Sequence, residues 1–292
     1  GIEMKQKKSK ILRDLLQTNN FLPVPSCFDA LSAKLIEQVG FKLMFMSGFA
    51  ASASRIGQPD LGVMTLTEVL DQLNSITDAS TIPLIGDGDT GYGNAMNVIR
   101  TVKSFAKIDC AGVLIEDQLS PKRCGHTPGK DVVSRDEAFD RIKASVDARE
   151  ENDILIMART DANYTHGIKE AIERAQKFYE LGADILFVEA PKSEDEMRLV
   201  CKEVPGYKIA NIVEGGLTPN LSMKELEGIG YNLAVYPLTA LSSAMKAMVD
   251  SLTKLKTDSD RSNNLMSFEE LRKRVGFDEY YETSSKYETS KR

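Results

Sequence analysis

The chain has no tryptophan and only two histidines, His126 and His166, among its 292 residues. Its four cysteines, Cys27, Cys110, Cys124 and Cys201, lie far apart. So few soft ligands argue against a zinc centre, and the wide spacing does not resemble a disulfide framework. No apolar run approaches the roughly 20 residues that span a bilayer, and no charged stretch followed by an apolar one opens the chain as a secretory signal would. Positive charge is also scarce. The formal net charge is −6, and Lys5, Lys7, Lys8 and Lys10 form the single basic cluster, read as a solvated helix start. That balance argues against nucleic acid as a principal partner. The absences together point to a cytoplasmic protein that acts on a small molecule, without membrane or nucleic acid.

What is present is an alternation. With 42% hydrophobic and 27% charged residues, the composition is that of a globular protein. An amphipathic helix over 6–18 precedes short apolar runs at 21–25, 43–47, 83–87, 112–116, 154–159, 185–189, 208–213 and 232–236. Helical periodicity follows near 28–39, 65–79, 95–107, 134–150, 167–181, 194–203, 222–228 and 238–255. Strands that read as continuous apolar runs, each followed by a helix, predict a parallel sheet covered on both faces. Eight such units in about 240 residues fit a closed (β/α)8 TIM-type barrel over a doubly wound open sheet. The expected organisation is one domain over 1–292, with the barrel at about 20–255 and a C-terminal helical extension over 256–292. In that extension 256–264 reads as a linker, 267–275 as a helix opened by a Ser-x-x-Glu capping box, and 283–292 as a disordered tail.

Barrel chemistry gathers at the C-terminal ends of the strands. Those ends carry Ser47-Gly48, Asp87-Gly88-Asp89, Glu116-Asp117, Arg159-Thr160-Asp161, Glu189, Asn211 to Glu214 and Tyr236-Pro237. Asp87, Asp89 and Glu116 form an oxygen-rich cluster whose mutual repulsion a divalent cation would relieve, and Mg²⁺ suits such ligands. Gly86-Asp87-Gly88-Asp89-Thr90-Gly91 also matches a Gly-x-Gly-x-x-Gly turn, but two carboxylates inside the turn would face the pyrophosphate it must cradle. After Glu116-Asp117 comes a loop in which Lys122, Arg123, Cys124, Gly125 and His126 lie between prolines and glycines. A cysteine flanked by three cations is a place where a thiolate is stabilised below its ordinary pKa of about 8.5. Cys27, Cys110 and Cys201 read as small packing residues, Met44, Met46 and Met64 as core or pocket wall, and His166 as a loop residue.

These segments resemble the isocitrate lyase / phosphoenolpyruvate mutase superfamily over about residues 10–285. The resemblance rests on Ser47-Gly48-Phe49, Pro59-Asp60-Leu61-Gly62, Asp87 to Asn94, Glu116-Asp117-Gln118, Pro121 to His126, Ala158 to Ala162, Val188-Glu189-Ala190 and Ala210-Asn211 to Gly216. Lys122-Arg123-Cys124-Gly125-His126 is its most specific part, and it looks nearest to the 2-methylisocitrate lyase, petal death protein and carboxyphosphonoenolpyruvate mutase group. The resemblance implies a Mg²⁺-dependent barrel, with Mn²⁺ able to stand in. It also implies a last helix swapped with a neighbour, giving a homotetramer built as a dimer of dimers. It implies Asp87 as the direct metal ligand, with Asp60, Asp89 and Glu116 acting largely through water. Ser47, Gly48, Phe49, Lys122, Gly125, Asn211 and Pro237 would contact a small carboxylate substrate. Cys124 would be the acid/base on a gating loop, beside Arg159, His126 and Glu189, with Arg159, His126 and Asn211 neutralising developing charge. Phe45 stands where methylisocitrate lyases carry a tyrosine, which leaves the base that takes the hydroxyl proton open. The implied reaction is carbon–carbon cleavage of a 2-hydroxy di- or tricarboxylate, such as 2-methylisocitrate, a substituted malate or oxaloacetate. The alternatives are a carboxyphosphonoenolpyruvate-type phosphonomutase and a barrel that binds a dicarboxylate without catalysis.

Overall fold

The computed structural model describes residues 5–122, 131–149 and 153–288. It forms two compact units, one ending at Ala240 and the other beginning at Leu241. The order begins α1 (Lys8–Thr18), β1 (Leu22–Cys27), α2 (Ala30–Val39), β2 (Met44–Met46), α3 (Gly48–Ile56), α4 (Leu66–Ala79), β3 (Leu84–Asp87), α5 (Ala95–Lys107), β4 (Gly112–Glu116) and α6 (Arg135–Arg149). It continues with β5 (Leu155–Thr160), α7 (Ala162–His166), α8 (Ile168–Glu180), β6 (Ile185–Val188), α9 (Glu194–Glu203), β7 (Tyr207–Asn211), α10 (Met223–Ile229), β8 (Leu233–Tyr236) and α11 (Thr239–Lys256). Every strand pairs in parallel with the next, and β1 closes on β8 with Val24 opposite Val235. The expected (β/α)8 barrel is the fold.

Successive side chains of a strand point to opposite faces, so in a barrel they alternate between lumen and helices. The lumen is one cluster of Val24, Leu43, Phe45, Ile85, Leu114, Met157, Phe187, Ile209 and Val235, joined by Leu12 and Leu16 of α1. The N-terminal helix therefore plugs the bottom of the barrel with its apolar face, each fully buried leucine contributing about 1.5–3 kcal/mol. The outward residues, among them Met44, Leu84, Val113, Ile115, Ile156 and Leu186, pack with α4, α5, α6 and α8 in a second cluster.

In the first unit two helices lie outside the predicted set. Helix α3 follows β2 directly: Ser47 caps it by accepting from the Ala50 N–H at 3.3 Å, and Gly57 ends it in the left-handed region at φ 63°. Its residues, Gly-Phe-Ala-Ala-Ser-Ala-Ser-Arg-Ile, are mostly small, so the apolar face is narrow and the periodicity faint. Helix α7 is a single turn and too short to show a period.

The second unit carries most of α11, a 3-10 turn at Ser262–Asn264, and then α12 (Phe268–Val275) and α13 (Phe277–Ser285). Ser267 caps α12 through the Glu270 N–H at 3.1 Å. Residues 283–285, expected in a disordered tail, instead complete α13. The Arg272 guanidinium lies 4.2 Å from the Phe277 ring centre and ties α12 to α13.

Candidate active site

Seven strand ends build the site by one rule of periodicity. Ser47, Asp87, Glu116, Arg159, Glu189, Asn211 and Pro237 each stand two residues beyond a lumen residue, namely Phe45, Ile85, Leu114, Met157, Phe187, Ile209 and Val235. The same pleat that points the apolar residue inward points the polar one into the mouth. Ser47, Gly48, Phe49, Asp60, Asp87, Glu116, Lys122, Arg159, Glu189, Asn211 and Pro237 line one cavity there, with Phe45, Phe187, Val213, Val235 and Leu238 as its apolar wall. Asp89 lines the small cavity beside it. Cys124, Gly125 and His126 lie outside the described residues.

The acids are placed by backbone. Asp87 accepts from the Gly48 N–H, at the start of α3, at 3.2 Å and from the Asp89 N–H at 2.9 Å. Gly88 must be glycine because its backbone crosses β4 closely: a Cβ there would lie 2.6 Å from the Leu114 carbonyl oxygen. Asp89, in the left-handed region at φ 52°, turns back so that its carbonyl accepts from the Glu116 N–H at 2.9 Å and its carboxylate from the Tyr92 hydroxyl at 3.2 Å. Asp87, Asp89 and Glu116 thereby bring ligand oxygens within 4.8 Å of one another. Asp60 joins them through Lys122 Nζ, which lies 2.9 Å from Asp60 and 3.6 Å from Asp87 and touches Asp89. Gly48 is required by the same crowding, since a Cβ would stand 2.7 Å from that ammonium and 2.8 Å from the Asp87 carboxylate.

The electrostatics are lopsided. Burial opposes the charge on Asp87, but the Lys122 ammonium and the bonds from Asp89 outweigh it and hold the carboxyl below its usual range. Burial pushes Asp89 well up, and the neighbouring Asp87, Asp60 and Glu116 carboxylates override the pull of Lys122. Burial likewise pushes Glu116 up to about 8, with Arg159 only partly offsetting it. One ammonium does not neutralise four carboxylates. Three convergent buried oxygens with spare negative charge are what a hard divalent cation needs, so the donor set fits a metal.

The opposite wall is organised by Arg159. Its Nε and Nη2 form a two-pronged bond to Asp161, both at 2.9 Å, and it also meets Glu189 at 3.2 Å and Glu116 at 3.4 Å. Its guanidinium carbon lies 5.1 Å from the Phe187 ring centre. Burial works against this charge, yet Asp161, Glu116 and Glu189 raise its pKa further. Asn211 donates through Nδ2 to Glu189 at 3.0 Å, while its buried Oδ1 has no partner among the described residues. Gln118 donates to Glu116 at 2.7 Å, and Arg141 holds the backbone oxygens of Glu116 and Gln118 at 2.7 and 3.0 Å. Behind the barrel wall Asp117 accepts from the Thr160 hydroxyl, the Asp161 N–H and Arg174, at 2.7, 2.8 and 3.1 Å.

The strand-end pattern places Asp161 at the mouth and Gln118 just beyond β4 but assigns neither a role, and it does not mark Phe187, Val213, Val235 and Leu238 as an apolar wall. The spacing Arg159-x-Asp161 and the run Glu116-Asp117-Gln118 were visible. What they lacked was any sign that the backbone turns after Thr160 so that Asp161 faces back along Arg159.

A family model described as phosphoenolpyruvate phosphomutase matches residues 12–256. The 2,3-dimethylmalate lyase of Eubacterium barkeri is 44% identical over 283 residues, 96% of this chain and 98% of the relative. The chloroplastic carboxyvinyl-carboxyphosphonate phosphorylmutase of Arabidopsis thaliana is 40% identical over 280 residues, 94% of this chain and 83% of the relative. Among solved structures, oxaloacetate acetylhydrolase in complex with the inhibitor 3,3-difluorooxalacetate matches with a TM-score of 0.92 at 33% identity, covering 96% of this chain and 97% of that one.

Proposed function

The chain belongs to the isocitrate lyase / phosphoenolpyruvate mutase family and is a carbon–carbon lyase; from that premise we propose that it cleaves an alkyl-substituted malate, of the 2,3-dimethylmalate class, with Mg²⁺. The observation that carries the substrate class is the composition of the cavity wall. Phe45, Phe187, Val213, Val235 and Leu238 face a cavity in which Lys122 and Arg159 are the cations among the described residues. A methyl group against such a wall gains about 0.8 kcal/mol, roughly fourfold in affinity. A third carboxylate buried there without a partner would cost several kcal/mol. The high identity to a 2,3-dimethylmalate lyase supports the same reading.

Asp87, Asp89 and Glu116 would hold the metal, with Asp60 beside them. When bound, the ion polarises the C2 oxygen of the substrate and makes its proton easier to remove. The Ser47 hydroxyl, at the N-terminus of α3, would receive the adjacent carboxylate. Loss of the C2 hydroxyl proton forms the keto group and breaks C2–C3, and the electron pair passes to C3 of the departing carboxylic acid. Cys124 returns a proton to that carbon, with His126 near it in sequence, so one proton leaves and one arrives. Arg159, held by Asp161 and Glu189, keeps a fixed positive charge beside the departing acid.

A substrate panel tests this. With Mg²⁺, 2,3-dimethylmalate should release pyruvate with kcat/KM roughly tenfold or more above 2-methylisocitrate, isocitrate and oxaloacetate, a gap of about 1.4 kcal/mol. In Cys124→Ser that turnover should fall about a hundredfold or more, the scale of a lost general acid. Preference for a tricarboxylate would refute the substrate class. Silence on the whole panel, with rearrangement of a phosphonate, would favour the mutase reading that the Arabidopsis relative keeps open.

The described thiols Cys27, Cys110 and Cys201 are free, which supports a reducing, cytoplasmic setting. No helix is long and apolar enough to cross a membrane among the described residues. Helix α11 exposes Met245, Met248, Val249, Leu252 and Leu255 along one face, at 50–61% of their surface. An apolar stripe with that spacing favours self-association and supports a helix-swapped homotetramer. Light scattering should give a mass of four 32.3-kDa chains; a monomer at micromolar concentration would overturn it.

A further inference from the structure

We propose that Lys122 is a resident competitor of the divalent cation, so that the site binds metal weakly alone and firmly only together with an anionic ligand. This rests on the reading of the acid cluster as the metal site. Lys122 is 5% exposed and its ammonium contacts Asp60, Asp87 and Asp89. It therefore calls on two of the three acids whose oxygens converge to hold an ion. A carboxylate oxygen aimed at an ammonium is not aimed at a metal, and an ammonium a few ångströms from a dication repels it.

The geometry leaves the two cations little room to share. Gly48 already stands so close that a single added carbon would lie 2.7 Å from the ammonium nitrogen. Asp89 is held from its far side by the Tyr92 hydroxyl at 3.2 Å, and Asp87 by the Gly48 N–H. The carboxylates are thus fixed, and the movable member of the cluster is the lysine, whose long stem and single charged head adapt easily. Its charge also has a use once a substrate arrives. A bound dicarboxylate adds negative charge to a nest of acids, and the ammonium offsets that repulsion. Metal and anion are then coupled: each binds better with the other present, as linkage requires.

Mn²⁺ binding followed by paramagnetic resonance, with and without oxalate, tests this without turnover. Removing one positive charge from within about 4 Å of a dication should raise Mn²⁺ affinity of the free protein roughly tenfold or more in Lys122→Met. The gain in Mn²⁺ affinity on adding oxalate should shrink in the same variant, and Lys122→Arg should stay near wild type in both respects. Unchanged or weaker Mn²⁺ binding by Lys122→Met overturns the proposal. If the wild type itself binds no Mn²⁺, the metal reading fails instead, so the two failures are distinct. The wild-type chain supplies an independent check should the methionine variant not fold. Mg²⁺ should increase modification of Lys122 by an amine-reactive reagent, read by mass spectrometry, because the head group is driven from its buried carboxylates. Protection of Lys122 by Mg²⁺, or no change, overturns it as well.

Discussion

Asp87→Asn lowers turnover by about a thousandfold or more and leaves the melting temperature nearly unchanged. The large loss follows from Asp87 being the carboxyl of its cluster held below the usual range, by Lys122 and the Asp89 bonds, despite its burial. Asp89 and Glu116 are both pushed up by burial. Asp87 is therefore the best anionic ligand of the three for the proposed metal, and losing it would remove a contribution worth several kcal/mol, each 1.36 kcal/mol being tenfold in rate. The small structural effect follows from the surrounding charge. Asparagine keeps an oxygen to accept from Gly48 or Asp89, and Lys122 keeps Asp60 and Asp89 as partners, so stability should fall by only about 1 kcal/mol. Steady-state turnover with Mg²⁺ and a thermal melt on the same preparation decide it. Turnover within tenfold of wild type would take Asp87 out of the reaction.

Arg159→Leu fails in both respects. The guanidinium is the shared partner of Asp161, Glu189 and Glu116, and removing one member of a buried charge group costs about 3–5 kcal/mol because the others are left unpaired. Glu116, pushed up to about 8 by burial with Arg159 as its main offset, would then hold its proton more tightly still in the folded state. A group with a raised folded pKa binds more protons when folded, so stability falls as pH rises from the unfolded carboxyl range towards neutrality. The deficit of the variant against wild type should therefore be larger at pH 8 than at pH 5.5 in urea unfolding. An equal deficit at both pH values would mean that lost packing on Phe187, not unpaired charge, is responsible. Activity should be lost at either pH if, as proposed, Arg159 is the fixed cation beside the leaving acid.

The two variants separate what the mouth of the barrel combines. On the Asp87 side there is excess negative charge that a cation relieves. On the Arg159 side a single buried guanidinium is shared by three acids, Asp161, Glu189 and Glu116, and gives the mouth a fixed positive centre. An enzyme that must hold a metal and a polyanionic substrate together needs both kinds of wall, because anions repelled by one are received by the other.

Much of this was legible along the chain. Apolar runs bounded by turn residues and followed by helical periods specified the barrel, because a strand buried on both faces has to be apolar throughout. The period of two then specified which polar residues enter the mouth, since Asp87, Glu116, Arg159, Glu189 and Asn211 each follow a lumen residue by two. The run 112–116 coincides with β4, which ends on Glu116 with Asp117 just beyond it. Helix α3 was hidden by its small side chains, which give little amphipathic signal. Helix α13 was hidden because contacts that hold it, the Arg272 guanidinium against the Phe277 ring and on the Tyr281 hydroxyl, come from another helix.

By itself, then, the sequence determined the eight strands with the main helix after each, the polar set at the strand ends and the metal-like excess of carboxylates, all of which depend on local period and residue type. Tertiary structure alone decided that Lys122 enters the acid nest, that Asp161 turns back to grip Arg159, that Gln118 holds Glu116, and that the remaining wall is apolar. Those are contacts between segments whose approach depends on backbone trajectory and close packing, such as the crossing at Gly88 and the crowding at Gly48. No period in the chain encodes a trajectory; it emerges only when the barrel closes and brings the eight strand ends around one axis.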